Sequence, residues 1–228
     1  KNTLFFAFCL MTLHASSQVK NYWHARVIID SGITKFTFQE DYTDALRLFN
    51  EAIDLEPQIA DSYYWRGRLY SKLEDYKNAM SDFNKSIQFD ENNALAYFGR
   101  AQVYLYEDKI DLALLDLALT IQKSLALQMV HWQARFQKGE LQYTLKQYKE
   151  AAFELKLFCD RKFDPKDISY LKKRDANYIY GKILMEQEQF DEAAQRFNAA
   201  LAALEEEPKS AKFSKADILL QRGLAKKL

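Results

Sequence analysis

An internal repeat is the feature of this sequence that most restricts its fold. At five places an aromatic or large apolar residue precedes an alanine by three positions, and the steps between the places are 34, 34, 38 and 42 residues. The five pairs are Tyr42 with Ala45, Tyr76 with Ala79, Ile110 with Ala113, Tyr148 with Ala151 and Phe190 with Ala193. Four residues beyond each alanine stands a bulky residue: Phe49, Phe83, Leu117, Leu155 or Phe197. Because offsets of three and four share one stripe of a helix, each repeat should contain one amphipathic helix.

A small residue marks a partner helix in each repeat. It lies nine or ten residues before the aromatic or isoleucine, and the five positions are Gly32, Gly67, Ala101, Gly139 and Gly181. Glycine inside a helix costs about 1 kcal/mol relative to alanine, so it needs a packing reason. We expect each small residue to face the alanine twelve residues later, so that two antiparallel helices approach closely. With only six glycines and three prolines, the chain lacks the turn residues of a sheet protein and should be nearly all helix.

The repeats resemble tetratricopeptide repeats, whose pattern over 34 residues is an aromatic, Leu-Gly, Tyr, Ala, an aromatic and Pro. The second repeat carries it as Tyr63, Gly67, Tyr70, Ala79 and Phe83. The third carries it as Tyr97, Ala101, Tyr104, Ala113 and Leu117. Arg66 and Arg100 replace the usual Leu, and Gln142 and Leu184 replace the Tyr in the last two repeats.

This resemblance implies an all-α fold, a right-handed α-solenoid of antiparallel helix pairs. The predicted repeats are 25–58, with a degenerate first helix, then 60–93, 94–127, 132–165 and 174–207. Residues 210–228 are predicted as a capping helix or as the start of a truncated sixth repeat. Since the extra four and eight residues approximate one and two helical turns, longer helices or linkers are expected around 122–131 and 161–171.

The first residues match an export signal. Lys1 is followed by the apolar stretch Leu4 to Leu13 and a small-residue exit, which predicts a signal peptide at 1–17 cleaved between Ser17 and Gln18. The chain is therefore predicted to act in the bacterial periplasm or outside the cell. The alternative is a buried N-terminal helix, because short apolar runs are ambiguous. Lipid attachment at Cys9 is a minor reading, since Phe8 stands where lipoprotein signals carry a small residue.

Charge and motif content exclude several functions. Thirty-two basic side chains balance 32 acidic ones, so the chain lacks the positive field of a general nucleic-acid binder. We find no Gly-rich phosphate loop, no metal-ligand spacing and no nucleophile elbow, so no cofactor, metal, small-molecule substrate or catalytic residue is predicted. Cys159 lies on the buried stripe and should fill the core.

The resemblance also implies a binding surface, because the family's first helices line a concave groove for peptides or partner helices. By offset from the small residue, the implied groove residues are Tyr64, Arg68, Phe98, Gln102, Leu105, Phe136, Glu140, Tyr143, Tyr178 and Lys182. The four aromatics form a ladder that either grips a partner or packs between repeats. A partner-binding ladder predicts that Phe98→Ala and Phe136→Ala weaken binding by about 2 kcal/mol at unchanged melting temperature. Loss of several kcal/mol of stability would instead place the rings in the core.

The sequence thus predicts an exported, non-catalytic scaffold that binds a protein or peptide partner. Two alternatives remain open. In the first, the chain is a regulatory or interaction module cut from a larger protein, such as an enzyme whose catalytic domain follows Leu228. In the second, it is a structural protein that forms homo-oligomers through its basic C-terminal helix.

Overall fold

The computed structural model describes residues 2–163, 172–206 and 213–227, with side chains except for 2–18 and 203–206. The described residues form α-helices joined by short turns, without strands. The helices are α1 (Asn2–Thr37), α2 (Tyr42–Leu55), α3 (Ala60–Lys72), α4 (Tyr76–Phe89), α5 (Ala94–Tyr106), α6 (Ile110–Lys123), α7 (Met129–Thr144), α8 (Tyr148–Asp160), α9 (Lys173–Glu186), α10 (Phe190–Glu206) and α11 (Lys215–Lys227). The fold is therefore all-α, as the sequence predicts.

The second helix of each repeat begins at the aromatic or isoleucine on which the sequence pattern is built. Aspartates just before α2 and α4 cap them: the carboxylates of Asp41 and Asp75 accept from the amides of Asp44 and Asn78 at 3.1 and 3.2 Å. The alanines and bulky residues of the stripe are buried in all five second helices. Periodicity thus located these helices and their buried faces correctly.

The turns between paired helices share one backbone conformation. Two residues before each second helix, a residue other than glycine has a positive φ of 53° to 61°; these are Glu40, Glu74, Asp108, Lys146 and Glu188. At Glu74 the next amide, of Asp75, donates to the carbonyl of Tyr70 at 2.9 Å, as in a Schellman helix end. The tight reversal therefore comes from left-handed residues with side chains, which explains how so few glycines suffice.

The glycines do pack closely against the second helices, but they face a different residue from the one predicted. A Cβ on Gly67 would lie 3.0 Å from the Phe83 ring, and one on Gly139 would lie 2.8 Å from Leu155. A Cβ on Gly99, which lies outside the predicted small positions, would also meet the Phe83 ring, at 2.5 Å. The bulky residue therefore occupies the space that each missing side chain leaves, and the alanine is not the nearest neighbour.

The chain divides into two compact units, an N-terminal unit of residues 1–109 and a C-terminal unit of residues 110–228. In the N-terminal unit three small buried clusters fill the spaces between helices, around Ile29, Phe49 and Phe83. In the C-terminal unit one larger cluster joins α7 to α11 and includes Phe158, Phe197 and Ile218. Each unit is therefore a stack of helices with its own apolar interior.

The additional residues of the fourth repeat lengthen a linker and a helix. The α6–α7 linker has five residues where the two earlier inter-repeat linkers have four, and α7 has 16 residues where α3 and α5 have 13. Most of the second expected extension, at 161–171, lies outside the described residues, as do Pro165 and Pro208. At the N-terminus α1 is one helix that contains both the predicted signal segment and the first helix of the first repeat.

Candidate functional site

The first helices of the repeats lie beside one another, so that each unit presents a face made of first helices. In the N-terminal unit α3 contacts α1 and α5, and in the C-terminal unit α9 contacts α7 and α11. We call these surfaces the N-terminal and C-terminal first-helix faces. They carry the residues for which the resemblance implies binding.

Arg68 is the centre of the N-terminal first-helix face. Its exposed guanidinium carbon lies 4.8 Å from the ring centre of Trp65, 5.8 Å from that of Tyr64 and 5.7 Å from that of Phe36 on α1. A cation above several aromatic faces is held by their quadrupoles while its edge stays open to solvent. Arg68 is therefore held in place by three aromatic rings while its side chain stays exposed.

Tyr64 is the buried member of this cluster. Its side chain is buried against Phe83 and Trp65, with ring-centre distances of 6.4 and 5.2 Å. Burial raises the pKa of its phenol, and the nearby Arg68 lowers it by a smaller amount. Tyr64 thus belongs to the core between α3, α4 and α5.

Helix α5 supplies the accessible apolar part of the same face. Phe98, Gln102 and Leu105 are half-buried there, and the amide of Gln102 donates to the carbonyl of Phe98 at 3.4 Å. Leu95 and Tyr106 are 42% and 66% exposed and extend the stripe at both ends at helical spacing. The family offset alone did not select these two residues, although the spacing of apolar side chains on α5 indicates them.

On the C-terminal first-helix face Phe136 is buried, with 5% of its surface exposed and its ring centre 5.4 Å from that of Phe158. Glu140 and Tyr143 are half-buried one and two turns further along α7. The Tyr143 ring lies 5.9 Å from that of Tyr148, and burial raises the pKa of the Tyr143 phenol. On this face Glu140 and Tyr143 are therefore partly accessible to solvent, whereas the ring of Phe136 is buried.

Residues of the C-terminal segment contact the two predicted residues on α9. The ring of Phe213 lies 4.2 Å from that of Tyr178, and the ammonium of Lys182 donates to Gln221 on α11 at 3.4 Å. Burial raises the pKa of the Tyr178 phenol, and the Asp217 carboxylate adds to this. Tyr178 and Lys182 thus take part in packing α11 onto its own chain.

The aromatic ladder consequently does not act as one surface. Tyr64 and Phe136 are core residues, Tyr178 lies under Phe213, and Phe98 is half-buried on the α5 stripe. Because Phe136 is buried, we now expect Phe136→Ala to cost about 3–5 kcal/mol of stability, which differs from the unchanged melting temperature that a partner-binding ring predicts. Core packing explains Tyr64 and Phe136, whose cited ring partners Phe83 and Phe158 belong to the same repeats.

A buried ion pair explains the arginine that replaces the family's leucine. Arg66 on α3 donates through Nε and Nη2 to both carboxylate oxygens of Asp82 on α4, at 2.7 and 2.8 Å. Its Nη1 donates to the amide oxygen of Asn50 on α2, also at 2.7 Å. Arg100 repeats the second contact with Asn84 at 2.7 Å. The signal was present in the sequence as spacings of sixteen residues between a cation and an acid or amide.

The fourth repeat carries a longer polar chain at the corresponding place. Arg135 and Lys138 on α7 both bind the buried carboxylate of Glu154 on α8, with the lysine at 2.9 Å. Nε of Arg135 also donates to Nε2 of His131 at 3.1 Å, and Nδ1 of His131 lies 3.1 Å from Oγ of Ser124. Because Nε2 accepts, Nδ1 carries the proton of a neutral ring. Burial and the Arg135 charge lower the pKa of His131.

Other chemistry is not assembled in the described parts of the chain. There, no three His, Cys, Asp or Glu side chains are grouped so as to hold a metal ion. Cys159 is buried, as predicted, and burial raises the pKa of its thiol to about 12. In the same ranges none of the helices combines the length and apolar character needed to cross a bilayer.

Comparisons with known proteins agree with this geometry. Two segments, residues 60–93 and 180–227, match family models described as tetratricopeptide repeat. A search of curated proteins by sequence gives no match.

Solved structures share the fold at low sequence identity. YrrB, described as a TPR protein with an unusual peptide-binding site, is 22% identical with a TM-score of 0.60, covering 88% of this chain and 91% of YrrB. A MamA structure is 19% identical with a TM-score of 0.61, covering 83% and 96%. PilW, described as a widely conserved type IV pilus biogenesis factor, is 14% identical with a TM-score of 0.62, covering 89% and 84%. The chain is thus similar to tetratricopeptide repeat proteins in two segments of sequence and shares their α-solenoid fold.

Proposed function

We propose that this protein is an exported, non-catalytic scaffold that binds a segment of a partner protein on its N-terminal first-helix face. The carrying observation is the exposed edge of Arg68, held over three aromatic rings beside the accessible stripe of α5. The peptide-binding site ascribed to YrrB, which has the same fold, supports a peptide as the kind of occupant.

The chemistry of this face restricts the partner. The five donors of an arginine fork suit a carboxylate, and the rings below it keep the fork in place. Leu95, Phe98 and Leu105 on the neighbouring helix offer apolar surface. A segment that presents an acidic residue next to large apolar residues would satisfy both features.

Peptide display against the intact protein tests this proposal. Peptides selected on the wild-type chain should bind Arg68→Ala and Phe98→Ala at least tenfold more weakly, which corresponds to about 1.4 kcal/mol. Gln88→Ala on the exposed side of α4 is the matched control and should bind like the wild type. Equal binding by all three variants would remove the first-helix face as the site.

Export is part of the proposal and is supported by the sequence pattern of residues 1–17. Sequencing the N-terminus of the protein isolated from its native cell should find Gln18 as the first residue. Detection of residues 1–17 on a cytosolic protein would contradict export, and would leave the binding proposal to its own test.

Self-association stays as a second candidate, because α11 exposes Leu220 and Leu224 at 61% and 43%. Light scattering over a hundredfold concentration range separates the two functions. A constant monomer mass would eliminate the structural oligomer, whereas a mass that rises with concentration and returns to monomer in Leu220→Glu would favour it.

A further inference from the structure

A pocket of about 370 Å³ opens between α7 and α8, away from the residues of the C-terminal first-helix face. Lys138 and Gln142 of α7 line it together with four residues of α8, namely Lys149, Glu150, Phe153 and Glu154. Phe153 is 61% exposed at its edge. The pocket therefore combines an aromatic wall with charged and amide groups.

The other repeats show what occupies this place when the family residue is present. Tyr70 and Tyr104 stand at the position of Gln142, four residues after Arg66 and Arg100. The guanidinium carbons of these arginines lie 5.9 and 5.8 Å from the tyrosine ring centres. In the fourth repeat Lys138 supplies the cation, but Gln142 supplies no ring. The pocket thus lies where earlier repeats hold a phenol beside a cation.

Gln142 supplies a second and independent observation. The side chain is only 7% exposed, and its buried Oε1 has no hydrogen-bond partner within the protein. A buried acceptor without a donor costs about 1–3 kcal/mol, so an occupant that brings a donor is favoured. A carboxylate has no proton to donate. Around the pocket Lys138 and Lys149 are balanced by Glu150 and Glu154, which favours a neutral occupant that carries a donor.

We propose that this pocket binds a tyrosine side chain from a partner protein. The ring packs beside Phe153 and near the ammonium of Lys138, and the Gln142 amide, which lines the pocket, turns its buried Oε1 outward to accept from the tyrosine hydroxyl. The site rests on the proposed function only in that the tyrosine belongs to a protein partner, since the pocket and the Arg68 cluster belong to different units of the chain.

Nuclear magnetic resonance on the intact protein tests the site with N-acetyltyrosinamide as the probe. Titration should shift the side-chain amide signal of Gln142 and the ring signals of Phe153 in a saturable manner. N-acetylphenylalaninamide, which lacks the hydroxyl, should bind at least fivefold more weakly. Equal binding of the two probes, or no shift at tens of millimolar tyrosinamide, would overturn the proposal.

Gln142→Tyr is the decisive variant, because it places in the fourth repeat the residue that the second and third repeats already carry. It should fold, as circular dichroism can verify, and should lose the probe-induced shift at Phe153. Thr144→Tyr, on the exposed side of α7, adds the same residue outside the pocket and should bind the probe normally.

If Gln142→Tyr fails to fold, Gln142→Leu tests the acceptor instead, and it should bind the two probes with equal affinity. Unchanged preference for tyrosinamide in either folded variant would exclude the site. Peptides selected on the N-terminal first-helix face should bind all these variants as they bind the wild type. A failure of the pocket proposal can therefore be distinguished from a failure of the proposed function.

Discussion

Arg66 lies between three helices and holds one buried carboxylate. The side chain of Asp82 is 4% exposed and that of Arg66 17%. Burial alone would lower the pKa of Arg66, but the hydrogen bonds and charge of Asp82 outweigh it and raise that pKa. A buried ion pair adds little net stability over apolar residues of similar size, yet removing one member leaves an uncompensated charge.

We therefore expect Arg66→Leu, which restores the family residue, to destabilise the fold by about 3–5 kcal/mol. Replacing both partners, in Arg66→Leu with Asp82→Leu, should recover most of the loss. Denaturant unfolding measures both, and Arg47→Leu on the surface of α2 should change stability by less than about 1 kcal/mol. A loss below that size in Arg66→Leu would show that Asp82 finds other donors.

His131 makes the C-terminal unit sensitive to mild acid. Its pKa is lowered below 6.5, chiefly by burial and then by the charge of Arg135, with Arg161 adding to it, while hydrogen bonds involving Ser124 and Ile121 oppose the shift. The unfolded chain therefore binds the proton more readily, so this contribution to stability is complete above about pH 6.5 and declines as pH falls towards the lowered pKa. Protonation of His131 at Nε2 would also remove the hydrogen bond that this nitrogen accepts from Nε of Arg135.

We expect the free energy of unfolding to decrease between about pH 7 and 5, and this slope to be smaller in His131→Asn. Denaturant titrations at several pH values provide the measurement. Asp44 and Asp160, whose pKa values are lowered, contribute slopes at more acidic pH and serve as the internal reference. An identical slope in wild type and variant would show that His131 titrates normally.

The ring of Phe83 packs closely against two glycines, Gly67 and Gly99. We expect Gly99→Ala to destabilise the fold by about 1–3 kcal/mol, because the new methyl group would lie 2.5 Å from the buried ring of Phe83, which Gly67 also approaches closely. Gly223→Ala is the matched control: nothing lies within 4 Å of its Cβ, so helix propensity should stabilise it by about 0.5–1 kcal/mol. Thermal unfolding distinguishes the signs, and stabilisation by Gly99→Ala would contradict this packing.

At the scale of elements, α11 is part of the C-terminal core. Ile218 is fully buried in the cluster that contains Phe197, and Ala225, two helical turns later on the same face, is also buried. Removing residues 209–228 would thus expose core side chains as well as remove charges. Self-association is better tested by changing exposed residues of α11 than by truncation.

We expect Ile218→Ala to cost about 2–5 kcal/mol in stability, because it leaves a cavity beneath α11. Leu220→Ala, at a site 61% exposed on the same helix, should stay within about 0.5 kcal/mol of wild type. Unfolding monitored by fluorescence measures both. Similar small effects would mean that α11 contributes little to the core.

At the scale of the whole chain, the sequence predicted the features that depend on the spacing of residues along a single helix, namely where helices begin and which side chains are buried. The starts of the second helices and the burial of Phe83 and Cys159 follow from periods of three and four. The sequence did not predict which residues meet across helices. Gly67 faces Phe83 instead of Ala79, and Arg66 finds Asp82, because such contacts depend on the relative displacement of two helices, which periodicity does not determine.

The aromatic ladder shows the same limit for the candidate site. Offsets from the small residues placed Tyr64, Phe98, Phe136 and Tyr178 on equivalent turns, yet their exposure differs. Phe158, which covers Phe136, stands at a stripe position where the other repeats carry Ala52, Ser86, Thr120 and Ala200. Phe213, which covers Tyr178, lies outside the repeated pattern. Equivalent positions therefore acquire different roles from their non-repeated neighbours.

The seat of Phe83 between two glycines has a consequence for how such chains change length. Gly67 belongs to the same repeat as the ring, while Gly99 belongs to the following one. If residues 60–93 were deleted, Gly99 would next encounter Phe49, which already rests against Gly32. The new junction would again pack a phenylalanine ring against a glycine. Gene duplication or loss in steps of 34 residues can therefore lengthen or shorten this stack while keeping the same kind of contact between repeats.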